Sequence, residues 1–300
     1  MNIGRLIALG ESRFQAEKIE FGQGTRNAWD EARWLTLAAL GLPVDSPADV
    51  ESMELDDSQS SHVLAVFDQR ITTRAPAAYI IGEAWLKGYP FRVDPRVIIP
   101  RSFIAELLID HCQPWIQDPL GVRSILDLCT GSGCLAIIAA DQFPGAKVVA
   151  SDLSSDALAV AAINIEDYEL QGQIQLVQSD VYDAITPQTF DLIVSNPPYV
   201  PESKRASLPK EFAHEPDMAL IASDNGMAIV RKILQGAPAR LNDHGVLLVE
   251  VGHEREACDA LLEREFPGLH ALWLETDEQL DNVFVVTANE LHQYPWRPNR

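Results

Sequence analysis

The sequence predicts an α/β fold: a mostly parallel sheet covered by helices on both faces, preceded by a small helical domain. Three observations carry that prediction. After Gly121, five short apolar runs alternate with helical stretches: SILDLC (124–129), KVVASD (147–152), IQLVQSD (174–180), FDLIVSN (190–196) and GVLLVEVG (245–252). The runs are apolar throughout, not at every second residue, as strands of a parallel sheet covered on both faces are. Ahead of them, residues 1 to about 75 carry helical patterns and no catalytic constellation.

Taken in order, the clearest early helix starts at Asn27, a good N-cap, and carries Trp29, Ala32, Leu35, Leu37, Ala39 and Leu40 before Gly41 and Pro43 stop it. Ser46-Pro47 opens a short helix, and 62–71 forms a third. Such a bundle either presents a surface to a substrate or covers the next domain. The run AWLKGYPFRVDPRVIIP (84–100) holds two β-prone pieces broken by Gly88, Pro90 and Pro95, which suggests a hairpin linker. The division expected is a helical domain over 1–78, a linker over 79–100 and a catalytic domain over 101–300. Ser102 can cap a helix bearing Ile104, Leu107, Leu108 and Cys112, which puts Arg101 and Glu106 at its start. The helices between the strands are expected over 133–142, 154–165, 227–241 and 255–266. Strands over 270–276 and 282–288 follow, then a polar tail over 292–300.

At 300 residues the chain can bury one large core and a smaller one. No apolar run reaches the roughly 18 to 20 residues of a membrane helix, and the first residues lack the apolar core of a signal peptide, so a cytoplasmic protein is expected. Cys112, Cys129, Cys134 and Cys258 form no CxxC pair or disulfide-like framework and read as buried reduced thiols. The scattered histidines suggest no metal site. A formal net charge of -21, with no basic run longer than Lys204-Arg205 or Arg231-Lys232, disfavours direct nucleic-acid binding. It suits a basic protein partner. Solubility, or a salt-rich habitat, would account for the same acidity.

The chemistry-bearing residues fall at strand ends, where α/β sheets bind ligands. The first strand ends in Asp127-Leu128-Cys129-Thr130-Gly131-Ser132-Gly133-Cys134. Gly131 and Gly133 allow close approach to the backbone at a helix N-terminus. This is no dinucleotide fingerprint, because alanine stands at 136, and the acid upstream suits a ligand with an ammonium group better than a pyrophosphate. The second strand ends in Asp152, placed to bind ribose hydroxyls or else to serve as a helix-start charge. The third ends in Ser179-Asp180, placed to meet an adenine amino group or to cap the strand. Ammonium, ribose and adenine together describe S-adenosylmethionine. The fourth ends in Asn196-Pro197-Pro198-Tyr199. The prolines remove backbone donors and fix φ, leaving the Asn196 side chain and the Pro197 carbonyl as acceptors beside an aromatic wall. Two acceptors and a wall suit a planar NH2 group.

These segments, DLCTGSGC, ASDLS, QSD and SNPPYV, resemble the motifs of class I S-adenosylmethionine-dependent methyltransferases that act on planar amino nitrogens. NPPY is shared by nucleobase and glutamine methyltransferases, so the flanks must choose. Residues 79–108, LPKEFAHEPDMAL (208–220) and VEVGHE (249–254) are similar to the bacterial protein glutamine methyltransferases, and the PRS…AEL and DLCTGSGC forms to the branch acting on large-subunit ribosomal protein number three. The likeness runs over residues 76–288. Phe103, where that branch usually has proline, and Ala219-Leu220-Ile221-Ala222 depart from its pattern.

The resemblance implies a Rossmann-like, seven-stranded sheet with a reversed last strand. It implies S-adenosylmethionine held by Asp127, Thr130, Gly131, Ser132, Gly133, Asp152, Asp180, Val181 and Asn196, and a basic ribosomal protein as substrate. Asn196, Pro197 and Tyr199 are the expected catalytic residues, and Pro198 joins them in binding the substrate. Arg101, Phe103 and Glu106 are further candidates for the substrate pocket. A release-factor glutamine methyltransferase, a nucleic-acid amino methyltransferase and a non-enzymatic assembly factor are the competing readings.

Overall fold

The computed structural model describes residues 1–275 and 280–294. Helices α1 (Ile3–Ala16), α2 (Ala28–Ala39) and α3 (Asp57–Thr73) build the N-terminal bundle. Asn27 accepts the Asp30 N–H at 2.9 Å, the expected cap of α2. The helix expected after Ser46-Pro47 is a 3-10 turn, Ala48–Ser52. Helix α3 starts well before the apolar pattern shows, because Asp56 and Gln59 form a reciprocal capping box. Phe14 and Phe67 meet edge to face in the bundle core, with ring centroids 5.4 Å apart.

The expected boundary at residue 78 falls inside a short helix, α4 (Ala77–Ile81). Nor is the bundle core closed off there. Val93, Val97 and Ile99 of the linker enter it, together with Ala157 and Val160 from a helix of the sheet domain. A buried polar network adds a second tie. Glu211, far along the chain, accepts from the Glu20 N–H at 3.2 Å and from Arg74 at 2.9 Å, while Arg70 pairs with Glu31 at 2.7 Å. A hydrogen bond of 2.9 Å joins the His214 Nε2 to the Thr73 carbonyl.

The hairpin pairs β1 (Glu83–Leu86) with β2 (Tyr89–Arg92). Its two-residue turn, Lys87-Gly88, has φ of 48° and 88°, the doubly left-handed turn that matches strand twist. Helix α5 (Ile104–Ile109) is shorter than expected and ends before Cys112. The main sheet contains β3 (Ser124–Leu128), β4 (Lys147–Asp152), β5 (Ile174–Gln178), β6 (Phe190–Ser195), β9 (Leu241–Glu250), β10 (Leu272–Glu275) and β11 (Leu280–Thr287). A small pair, β7 (Val200–Pro201) with β8 (Ile221–Ala222), stands apart, and α8 (Asp217–Leu220) lies between the two in the chain. The covering helices are α6 (Cys134–Gln142), α7 (Ser155–Asp167), α9 (Ala228–Gly236), α10 (Arg255–Glu265) and α11 (Ala288–Gln293). Helix α9 stops short of the expected 241 because Pro238 cannot continue it, and Leu241 already opens β9. Residue 276 of the expected strand over 270–276 and residues 295–300 of the expected tail lie outside the described residues.

Spatial strand order is β10-β11-β9-β6-β3-β4-β5, with β11 antiparallel to both neighbours and β3, β4, β5, β6 and β9 parallel. This is the seven-stranded sheet with a reversed last strand that the resemblance implies. The pleat splits the apolar runs between two cores: Ile125, Leu192 and Val194 face one side, Leu126 and Ile193 the other. Leu192, Ile193 and Val194 are wholly buried, at about 1.5–3 kcal/mol each. A charge at any of them would break the sheet centre. Order reverses between β3 and β6, so the loops leaving these adjacent strands converge at the switch point where open sheets bind ligands.

Candidate active site

The loop after β3 must turn back sharply into α6. Cys129, Gly131 and Gly133 take φ of 60°, 56° and 81°, and the glycines meet that demand without a side-chain penalty. The turn is fastened by the Thr130 N–H to the Ser151 carbonyl and the Gly131 N–H to Asp152 Oδ2, both at 2.9 Å. Asp127 lies beneath it, fully buried and absent from the cavity wall described below. Its Oδ2 accepts from the Thr130 hydroxyl at 2.5 Å, and its Oδ1 has no partner among the described residues. Burial pushes its carboxyl up to about 7. Thr130 and Ser132 are buried as well, and the Ser132 hydroxyl is likewise unpartnered there.

Above this turn opens a cavity of about 530 Å3, inside the roughly 300–1,000 Å3 range of small-molecule sites. Of the expected cofactor residues, Gly131, Asp152, Asp180, Val181 and Asn196 line it, whereas Asp127, Thr130, Ser132 and Gly133 do not. Asp152 gives one oxygen to the Gly131 N–H and the other to the Ser154 N–H, each at 2.9 Å. Burial raises its carboxyl above the usual range, and each oxygen keeps a further acceptor site. Asp180 is exposed to the cavity but already held: Lys232 donates to its Oδ2 at 2.6 Å.

The loop after β6 forms another part of the wall. Ser195 donates to the Leu128 carbonyl at 2.8 Å and so locks the ends of β6 and β3 together. Asn196 is half-buried and lines the cavity, and no described residue hydrogen-bonds its side chain. Pro198 lines it too, while Pro197 is buried and Tyr199 sits behind the wall. A Cβ at Gly226 would come within 1.9 Å of the Tyr199 carbonyl oxygen, so only glycine fits under this loop. Burial, reinforced by Glu250, raises the Tyr199 hydroxyl above its ordinary value and keeps the phenol neutral.

Arg101, Phe103 and Glu106 do not line the cavity. Arg101 binds Glu215 in bidentate fashion at 2.6 and 2.8 Å and lies over the Phe212 ring at 5.3 Å. The Phe103 N–H donates to Glu250 at 2.9 Å, and Glu106 pairs with Lys87 at 2.9 Å. Their partners expose what sequence reasoning passed over. Glu215 also accepts the Ile99 N–H at 3.0 Å and thereby ties the linker to Pro216, a cavity residue. Glu250, at the end of β9, accepts from Ser102 at 2.5 Å, and burial pushes it up to about 7. Both lie in the flanking segments HEP and VEVGHE, which carried a family likeness but no separate chemical signal. Among the described residues no cluster of His, Cys, Asp and Glu could hold a metal ion, and no helix is long and apolar enough to cross a membrane.

A family model described as the methyltransferase small domain matches residues 105–223, the stretch that contains both loops. The ribosomal protein uL3 glutamine methyltransferase of Bordetella pertussis is 47% identical over 287 residues, 96% of this chain and 95% of that protein. Its namesake in Burkholderia pseudomallei is also 47% identical, over 95% of this chain and 94% of that protein. Among solved structures, the hMettl16 catalytic domain in complex with the MAT2A 3'UTR hairpin 1 superposes with a TM-score of 0.52 at 13% identity, covering 99% of this chain and 95% of that one. That match shows a shared fold. The 47% identity over 95% or more of its length to the two curated relatives shows that the chain belongs to the family of the ribosomal protein uL3 glutamine methyltransferases.

Proposed function

We propose that the protein transfers a methyl group from S-adenosylmethionine to the side-chain amide nitrogen of a glutamine in ribosomal protein uL3, in the cytoplasm where that protein is made. The observation that carries the reading is Asn196: it stands unengaged on the wall of the cavity that Asp152 and Asp180 also line. The cavity fits the cofactor in size, in the glycine at 131 that lets a ligand lie against backbone, and in its acidic lining. Gly131, Asp152, Asp180 and Val181 would hold it, with Asp127, Thr130, Ser132 and Gly133 shaping the turn from below. When bound, S-adenosylmethionine supplies an electrophilic sulfonium methyl.

An amide nitrogen is a feeble nucleophile because its lone pair is delocalised into the carbonyl. Asn196 Oδ1 and the Pro197 carbonyl accept the two amide hydrogens, fix the NH2 plane and raise electron density on nitrogen as positive charge develops there. Pro198 on the wall, braced from behind by the neutral ring of Tyr199, keeps that plane from tilting and excludes water. Alignment of this kind reaches about 7–11 kcal/mol in favourable cases, and preorganised acceptors add to it. No general base is needed if the proton leaves after transfer, once the nitrogen is acidic.

The test is Asn196→Ala. Transfer of tritiated methyl to purified uL3 is expected to fall by about 10²–10³-fold. Calorimetric titration of the cofactor should change little. Near wild-type transfer by the variant would refute the positioning role.

A further inference from the structure

Where the helical bundle meets the hairpin, a second cleft of about 290 Å3 opens. This is at the floor of the roughly 300–1,000 Å3 range of free small-molecule sites and is better suited to a single long side chain. Trp34, Leu42, Ile81 and Trp85 give it apolar walls, and the charged side chains lining it are Asp45 and Glu83. No lysine or arginine lines it. Trp34 is buried and fixed, whereas Trp85 is exposed. The Trp85 indole N–H donates to Glu83 Oε1 at 2.8 Å, which orients the ring and leaves the second carboxylate oxygen to take a donor. Beyond the cleft, the chain between Arg33 and Arg70 carries seven carboxylates and no lysine or arginine. Glu51, Glu54 and Asp68 of these pair with Arg33, the N-terminal ammonium and Arg13, and Arg33 is further engaged by the Val44 and Ser46 carbonyls beside the cleft, so the surroundings remain net negative.

Two indoles and two carboxylates with no internal cation form a receptor for a positive charge. Arginine fits it better than lysine, because a planar guanidinium stacks on an indole and donates in a fork to a carboxylate. We propose that this cleft binds an arginine side chain of the protein substrate, so that the bundle docks the molecule whose glutamine enters the cavity. The proposal rests on the reading of the substrate as a basic ribosomal protein. The acidic bundle and a basic partner supply the charge complementarity that commits the cleft to that occupant.

The probe is N-acetylarginine amide, titrated into the full-length protein while the indole N–H resonances are followed by NMR, with N-acetylcitrulline amide as the uncharged control. The arginine compound should move the Trp85 resonance and bind about tenfold more tightly than citrulline, a ratio in keeping with charge and stacking together. Asp45→Asn alters an exposed side chain and should weaken binding without disturbing the bundle; Glu83→Gln should do the same. Equal responses to arginine and citrulline would overturn the proposal. With uL3 as methyl acceptor, the double variant is expected to raise KM about tenfold, and an unchanged KM would also overturn it. Should the wild type not methylate uL3, the proposed function falls, while the indole titration still decides the cleft.

Discussion

The ring of Tyr199 rests directly on Gly252: a Cβ there would lie 2.7 Å from Cε2 and Cζ and 2.8 Å from the hydroxyl oxygen. Gly252 also has a φ of 50°, so it permits both the contact and the turn after β9. Gly252→Ala should therefore push the Tyr199 ring and the loop before it. We expect a loss of about 1–3 kcal/mol in stability and a kcat about tenfold lower or worse, with cofactor affinity changed far less. Thermal denaturation and steady-state kinetics read the two effects separately. Unchanged kcat would mean that the ring does not help to set the amide plane.

Asp152 fastens two backbone donors and faces the cavity, so its removal should be felt twice. Asp152→Ala leaves the Gly131 and Ser154 N–H groups without their acceptor, at about 1–3 kcal/mol each. Cofactor binding should weaken at least about tenfold if the ribose also rests there. Asp152→Asn, which keeps one acceptor oxygen, should fall between. Calorimetric titration checks this, and full cofactor affinity in the alanine variant would limit Asp152 to holding the turn.

The Arg101–Glu215 pair makes a stability prediction. Glu215→Ala strands a largely buried guanidinium and the Ile99 N–H, at about 3–5 kcal/mol. Arg101→Lys, which cannot reproduce the fork, should lose a smaller part. Urea denaturation of both variants measures the order, and a Glu215→Ala protein as stable as the parent would contradict the clamp.

Glu250 gives a pH dependence of definite sign. Burial raises its carboxyl from the usual 4.5 to about 7. Between those values the folded chain holds a proton that the unfolded chain has lost. This group's contribution to stability therefore declines as pH rises from about 4.5 through about 7. Glu250→Gln cannot ionise and escapes the decline, so its stability relative to the parent should rise across that interval. Denaturation at about pH 5 and about pH 8 brackets the effect. A constant difference between the two proteins would show that Glu250 does not titrate there.

How far the sequence revealed the site depends on the range of the contacts. The strand-end positions of Asp152, Asp180 and Asn196 follow from the alternation of apolar runs and helices, and all three line one cavity. Asp127 shows the limit of that logic. It stands two residues after the core residue Ile125, on the same face of β3, and the pattern alone does not say whether the last residues of a strand turn to ligand or to core. Lys232, which holds Asp180, Glu215, which holds the end of the linker, and Glu250, which holds the start of α5, lie 52, 114 and 147 or more positions from their partners. Such pairs are made by topology and leave no local periodicity. The tie through Glu211 is of the same kind, so the bundle reads as separable from sequence although its core and its buried charges run into the sheet domain.

The most direct measurement is mass spectrometry of purified uL3, a release factor and ribosomal RNA after incubation with the protein and S-adenosylmethionine. The expected result is the mass of one added methyl on a single glutamine side chain of uL3, absent when Asn196→Ala replaces the parent protein. Methyl appearing on the release factor or the RNA while uL3 stays unmodified would contradict it.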